Sequence, residues 1–288
     1  MKVEAVQARS ILTRSSGYLL DVSSHSVNPY RGCSLGRSLC GVACYVRHNQ
    51  FVCKGRNWGD FLEVKTNAAQ LYSKSYHRER EWARQRGEFS LFLASSTDPF
   101  LPQERTFGIT RGLLQAMVVQ PPDTLVVQTH SPQVVDCLAE LQALAPVCQV
   151  RVHLSIEGDR DQLPGLPRSA FSVESRLAAA RRLRDGGLWT VATLSPLHPI
   201  AEPEAFFERL AQSVDALVLD HFVGGDGSAL GSRTRRTALP AAMDSVQPGS
   251  SSLEYRSQVL QWASQLFPGP IGVGAEGFAG RYSRVRRG

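Results

Sequence analysis

The sequence predicts an α/β fold, a partial (open) parallel α/β barrel of about six βα units. Short apolar, β-rich runs recur at Leu91–Ala94, Thr124–Thr129, Val150–Ile156, Trp189–Leu194 and Ala216–Asp220, with a weaker one near Val27–Tyr30. Between them lie segments whose apolar residues repeat at helical spacing: Thr110–Val119, Pro132–Leu144, Val173–Arg184 and Glu204–Ser213. The strand runs are almost continuously apolar, as strands covered on both faces must be. About six units are fewer than the eight of a closed barrel. A doubly wound sheet is the other arrangement this count allows.

In chain order, residues 1–24 read as an N-terminal extension, 25–222 as the barrel, and 223–288 as a C-terminal loop, helix and basic tail packing on it. Gly186-Gly187 ends one helix just before the run at Trp189 begins, the usual place for glycine. Phe222–Ser251 is rich in Gly, Ser, Pro and Arg. It reads as a long loop and a candidate lid over the barrel mouth. Its Gly224-Gly225-Asp226-Gly227-Ser228 lacks the Gly-Lys-Ser/Thr end of a nucleotide P-loop. A helix over Leu253–Leu266 and a strand at Ile271–Val273 follow.

Hydrophobic residues make up 42% of the 288 and charged residues 20%, enough for a full core. No apolar run reaches the roughly 18–20 residues of a membrane span. The first residues lack the apolar stretch and cleavage site of a signal peptide, so a cytoplasmic location is expected. The net charge of +6 is concentrated in four clusters. These are Lys74–Arg86, Arg181–Arg184, Arg233–Arg236, and Arg281 with Arg284, Arg286 and Arg287. Such clusters suit a nucleic-acid partner; equally, arginine is the ordinary solvated face of a helix.

Six cysteines are too few for a disulfide scaffold of this length. Cys137 and Cys148 stand in apolar contexts and read as buried thiols. Cys33, Cys40 and Cys44 share one glycine-rich loop, with Cys53 nearby. Three thiolates can ligate three irons of a cubane cluster and leave the fourth iron open, whereas electron-transfer clusters mostly use four cysteines. Zinc wants four ligands and close cysteine pairs. Cys40 and Cys44 make one such pair, which Cys33, Cys53 or His48 would complete. Spacing alone balances iron–sulfur against zinc, and zinc would imply a zinc-stabilised nucleic-acid-binding protein.

The flanking residues are more specific. Asn28-Pro29-Tyr30-Arg31-Gly32-Cys33 and Cys44-Tyr45-Val46-Arg47 resemble the spore photoproduct lyase-like group of radical S-adenosylmethionine proteins. Further segments agree in order: Val64-Lys65-Thr66-Asn67, Ser95–Pro102 with Thr110-Arg111-Gly112, Val126–Ser131, His153–Ile156, and Pro167-Arg168 followed by Ser172–Leu177. The resemblance covers roughly residues 25–235. It departs in the cysteine loop, where six and three residues separate the cysteines instead of the group's three and two. His130 replaces a lysine. Ser95 and Ser96 stand where the lesion-repairing lyase carries a hydrogen-donating cysteine, which argues against the same reaction.

The resemblance implies a [4Fe–4S] cluster on Cys33, Cys40 and Cys44, with S-adenosyl-L-methionine on its open iron. It implies that Tyr45 presents its backbone to the adenine. Ser95, Ser96, Thr97 and Asp98 would bind the methionyl amine and carboxylate, and Arg168 would pair that carboxylate. Thr129, His130 and Ser155 would line the same mouth, with Asp220 and His221 on its rim. An electron donor such as flavodoxin or ferredoxin is the expected partner. The substrate is a nucleic acid on the basic clusters, or a small molecule or peptide.

Overall fold

The structure, a computed structural model that describes residues 1–282, turns the five stronger apolar runs into strands, whereas the weaker one near Val27–Tyr30 is split between the end of one strand and the start of another in a second sheet. The first elements are β1 (Lys2–Val6), β2 (Leu12–Arg14), β3 (His25–Val27), β4 (Tyr30–Gly32), the short helices α1 (Leu39–Ala43) and α2 (Gln50–Cys53), β5 (Phe61–Lys65) and α3 (Ala68–Arg84). Then strands and helices alternate: β6 (Ser90–Leu93), α4 (Glu104–Phe107), α5 (Ile109–Val119), β7 (Thr124–Thr129), α6 (Leu138–Leu144), β8 (Gln149–Ser155), α7 (Val173–Asp185), β9 (Trp189–Leu194), α8 (Pro203–Ala211) and β10 (Ala216–Leu219). The last are α9 (Phe222–Gly225), α10 (Leu239–Val246), α11 (Leu253–Leu266), β11 (Ile271–Val273) and α12 (Gly274–Phe278).

The main sheet has the order β11-β10-β9-β8-β7-β6-β3-β2 and does not close. Every pairing in it is parallel except β2 with β3. The open parallel barrel predicted from the sequence is therefore what forms. Side chains alternate across its strands. Leu91, Leu93, Leu125 and Val127 pack outward under the helices. Phe92, Val126, Val191 and Val218 point inward, where Phe278 of α12 fills the lumen. Phe278 meets Phe92 edge-on at 6.1 Å and lies against the His153 ring at 5.8 Å.

A second, three-stranded sheet has the order β1-β5-β4. Residues 1–24 thus supply a strand to each sheet. The segment expected as one long loop, Phe222–Ser251, contains α10 and a turn of 3₁₀ helix at Thr234–Arg236. Leu239, Ala242 and Met243 of α10 bury against Leu39 and Ala43 of α1 and against Phe222. The cover over the mouth is therefore a packed layer seated on the cysteine loop. Lys74–Arg86 lies mostly on α3, whose buried stripe is Ala68, Tyr72, Tyr76, Glu79 and Ala83. Among the described residues no helix is long and apolar enough to cross a membrane. Arg284, Arg286 and Arg287 of the last basic cluster lie outside the described residues.

Candidate active site

The site begins where the chain leaves one sheet for the other. β3 ends at Val27, and β4 begins at Tyr30 in the small sheet. Asn28 and Pro29 make the crossing, and Cys33 directly follows β4. The Asn28 side chain stays at the end of β6. Its Oδ1 accepts from the Ser95 and Ser96 backbone N–H groups at 3.0 and 2.9 Å and from the Ser96 hydroxyl at 3.0 Å. Its Nδ2 donates to the Ser95 hydroxyl at 3.2 Å. Lys65 Nζ donates to the Asn28 carbonyl at 2.7 Å, and the Thr97 hydroxyl donates to the Gly32 carbonyl at 2.7 Å. Strand end and cysteine loop are thereby locked together. The loop itself is tight: a Cβ on Gly41 would lie 2.2 Å from the Leu35 carbonyl oxygen, and one on Gly36 2.3 Å from Gly59 Cα.

Cys33, Cys40 and Cys44 all face one cavity of about 480 Å³. Its other walls include Tyr45, Asn49, Ser95, Ser96, Thr97, Asp98, Gln128, His130, Ser155, Ser195 and Asp220. The Tyr45 hydroxyl donates to the Ser95 carbonyl at 3.1 Å. Gln128 Nε2 donates to Ser155 Oγ at 2.8 Å and to Thr193 Oγ1 at 2.9 Å. Burial, then the neighbouring Cys40, Asp98 and Cys44, pushes the Cys33 thiol well above its ordinary value. Burial pushes Cys44 up to about 12. Such thiols ionise together only against a cationic centre, which fits the loop to a metal cluster. Among the described residues no three His, Cys, Asp or Glu side chains gather closely enough for a single metal ion. Cys53 stands apart, its Sγ turned to the Val46 and Arg47 carbonyls at 3.6 and 3.4 Å.

One polar network supports the strand ends. Asp98 accepts from Phe100 N and the Thr129 hydroxyl, both at 2.8 Å, and from His130 N at 2.7 Å. His130 Nε2 lies 2.9 Å from Glu157 Oε1, and its Nδ1 3.8 Å from Asp98. Arg176, only 2% exposed, donates from Nη1 to Glu157 Oε2 and to the Ser155 carbonyl, both at 2.6 Å. Burial disfavours a charged His130. Cys40, Asp98 and Glu157 outweigh it and hold the imidazole well above its ordinary value. Burial would likewise raise Glu157, but Arg176 and His130 hold it well below.

A smaller cavity of about 130 Å³ adjoins, walled by Cys40, Cys44, Tyr45, Glu157, Ser195, His198, Asp220, His221 and Asp226. The Asp220 carboxylate is buried, has no ion-pair partner among the described residues, and accepts from the Ser195 and Tyr18 hydroxyls at 3.2 and 3.3 Å. Burial raises its pKa to about 6. A Cβ on Gly225 would sit 2.4 Å from Asp220 Oδ2, so glycine makes room for that carboxylate. Burial lowers both His198 and His221 to about 4.

The structure therefore brings Cys33, Cys40, Cys44, Tyr45, Ser95, Ser96, Thr97, Asp98, His130 and Ser155 to the main cavity. Thr129, the last residue of β7, is buried with its hydroxyl on Asp98 and is not part of either wall. Arg168 points outward: its side chain is 74% exposed, 3.8 Å from Asp161, while its carbonyl accepts from Leu39 N at 3.0 Å. Asn28, Gln128, Glu157 and Arg176 are site residues to which sequence reasoning gave no role. Glu157, one residue past the run Val150–Ile156, was within reach of the strand-end rule for α/β folds.

No protein-family model matches the chain, and no curated protein matches its sequence. Solved structures do match it. A double mutant of spore photoproduct lyase with bound AdoMet and dinucleoside spore photoproduct superposes with a TM-score of 0.64 at 14% identity, covering 94% of this chain and 81% of that chain. The chain has the spore photoproduct lyase fold. A second mutant of spore photoproduct lyase, with dinucleoside spore photoproduct, gives a TM-score of 0.62 at 15% identity over the same shares. At these identities the open parallel α/β barrel is what this chain and spore photoproduct lyase have in common.

Proposed function

We propose that this protein is a radical S-adenosylmethionine enzyme acting on a small molecule. The observation that carries the reading is the shared cavity: three thiols of one loop face the hydroxyl-lined carboxyl end of β6. Cys33, Cys40 and Cys44 would hold a [4Fe–4S] cluster. When bound, the cluster and S-adenosylmethionine together supply a 5′-deoxyadenosyl radical that abstracts hydrogen from the substrate. Ser95 and Ser96, held by Asn28, orient the methionyl end. Tyr45 closes the wall beside it, Gln128 and Ser155 offer polar groups from the barrel floor, and the packed cover excludes water. Residues 25–222 carry this chemistry, 1–24 support the sheet edges, and 223–282 cover the barrel. An electron donor such as flavodoxin or ferredoxin would supply the electron such a cluster needs, in a cytoplasmic setting.

The wall away from the thiols favours a small molecule over a nucleic acid. It presents the Asp220 and Asp226 carboxylates and histidines made neutral by burial. Among the described residues that line the two cavities the only cations are Arg233 and, beside the thiols, His130, while an amine or hydroxyl would find Asp220. The clusters on α3 and α7 lie on the outer helices, with Arg78, Arg84, Arg181 and Arg184 each paired to a carboxylate. No thiol besides the three of the loop lines either cavity, so the lyase's hydrogen-returning cysteine has no counterpart.

Anaerobic purification with metal analysis tests this. Iron, sulfide and reductive release of 5′-deoxyadenosine are expected. Cys33→Ala, Cys40→Ala or Cys44→Ala should abolish the cluster and Cys53→Ala should spare it. A colourless protein that binds zinc and takes up no iron on reconstitution would establish the zinc-stabilised alternative instead.

A further inference from the structure

Charge around the cysteine loop is one-sided. Between Asp21 and Asp60 the sequence has no acidic residue, yet it has Arg31, Arg37, Arg47, Lys54 and Arg56. Between Asp226 and Asp244 it again has none, but carries Arg233, Arg235 and Arg236. Glu63 pairs with Arg31 and Arg56, and Asp60 with Arg37. Among the described residues Arg47, Lys54, Arg235 and Arg236 have no carboxylate partner, and all four are exposed. Arg47 follows Cys44 and Tyr45, and Arg235 and Arg236 follow Thr234; Cys44, Tyr45 and Thr234 line the smaller cavity together. The two segments therefore meet at one face.

Between Arg47 and Lys54, α2 exposes Phe51, at 88%. Leu230, 74% exposed, stands beside Arg235, whose Nε donates to its carbonyl at 3.0 Å. A fully exposed phenylalanine gains nothing for the fold. An apolar centre with a charged rim is the anatomy of a transient protein interface. The face is also close to the cavity. Asn49 lines the cavity and caps α2, its Oδ1 accepting from Phe51 N at 3.0 Å. Val46 and Trp58 complete that outer wall.

Resting on the radical-enzyme reading, we propose that Phe51, Arg47, Lys54, Arg235 and Arg236 form the docking face for an acidic flavodoxin-type electron carrier. The cations steer the acidic carrier, and Phe51 packs against the apolar rim of its exposed flavin edge. One electron leaves the reduced flavin, which is left oxidised by one electron, and enters the cluster across the wall of Val46, Asn49 and Trp58. No bond is made or broken. A nucleic acid suits this face less, because four cations dispersed around a phenylalanine offer no continuous track for a phosphate backbone.

The test uses the full-length, cluster-loaded protein and an acidic flavodoxin. Affinity for oxidised flavodoxin is titrated at low and high salt for the parent, Phe51→Ser and Arg235→Glu/Arg236→Glu. About tenfold weaker binding is expected for each variant, with strong salt dependence in the parent. Reduction by flavodoxin hydroquinone, followed by stopped flow, should slow in step. Reduction by dithionite, which needs no docking, should be unchanged. Flavodoxin affinity unchanged in both variants, with dithionite still bleaching the cluster, overturns the docking face alone. So does an oligonucleotide that binds with the same variant sensitivity while flavodoxin does not bind. A parent protein with no dithionite-sensitive absorbance overturns the radical-enzyme reading itself.

Discussion

Replacing Arg176 by methionine keeps most of its volume and removes its charge. The Glu157 carboxylate then loses its 2.6 Å partner, and the Ser155 carbonyl loses its donor. Breaking a buried pair by deleting one partner costs about 3–5 kcal/mol. His130 still faces the other Glu157 oxygen at 2.9 Å, which puts the expected loss near the lower end, about 3 kcal/mol. With about 2 cal/mol/K of unfolding entropy per residue, a chain of this length should melt about 5 °C lower. The loss has a pH signature. Because Glu157 is held well below the usual carboxylate range in the folded protein, its contribution is fully present above the unfolded glutamate value, about 4.3. It fades as pH falls through the folded value. Urea denaturation of both proteins should therefore show the widest gap at pH 6–7, narrowing below about pH 4. Adding Glu157→Gln to Arg176→Met should recover part of the loss, since glutamine needs no cation. A difference under about 1 kcal/mol, or one that ignores pH, would refute the claim that this pair is a charged, buried support of the site.

Three more outcomes follow from named contacts. Asn28→Ala removes the acceptor for the Ser95 and Ser96 backbone; S-adenosylmethionine affinity by calorimetry should fall about tenfold while iron content stays, and loss of iron instead would make Asn28 a support of the cysteine loop. Asp220→Asn should stabilise the protein above pH 6, by up to about 3 kcal/mol, because a carboxyl whose folded pKa is raised to about 6 penalises folding there. The gain should vanish below about pH 4, and product formation should fall; an unchanged melting temperature at pH 7.5 would contradict this. Gly41→Ala forces a Cβ onto the Leu35 carbonyl and should lower iron retention in chelator challenge; retention equal to the parent's would contradict this.

What the sequence made legible tracks how strongly each element's surroundings constrain it. The strands β6 to β10 are covered on both faces, so they appear as nearly continuous apolar runs. β1, β4 and β5 are three to five residues long in a small sheet, and β1 alternates polar and apolar residues as one-sided strands do. The helix α3 hid behind its charges, although Tyr72, Tyr76 and Ala83 keep helical spacing. The eight-residue α10 is shorter than the window in which periodicity shows. In the site, the thiols and Ser95-Ser96 announce themselves by residue type and position. Arg176 does not. An arginine within a helix reads as surface, and only tertiary contact turns it inward onto Glu157. Arg168 fails for the opposite reason: its sequence position is right, but its backbone carbonyl, not its guanidinium, reaches the cysteine loop.

The small sheet also joins the chain's first residues to its chemistry. Lys2–Val6 runs in register with Phe61–Lys65, whose last residue holds the Asn28 carbonyl. Pulling on the N-terminus therefore loads the same β5 strand that steadies Ser95, Ser96 and Cys33. An affinity tag or solid-support linkage placed at Met1 would act on a supporting beam of the candidate site. Peeling off residues 2–6 would also bare the β5 edge as a template for self-association, so preparations cleaved near the N-terminus should aggregate before they lose their barrel.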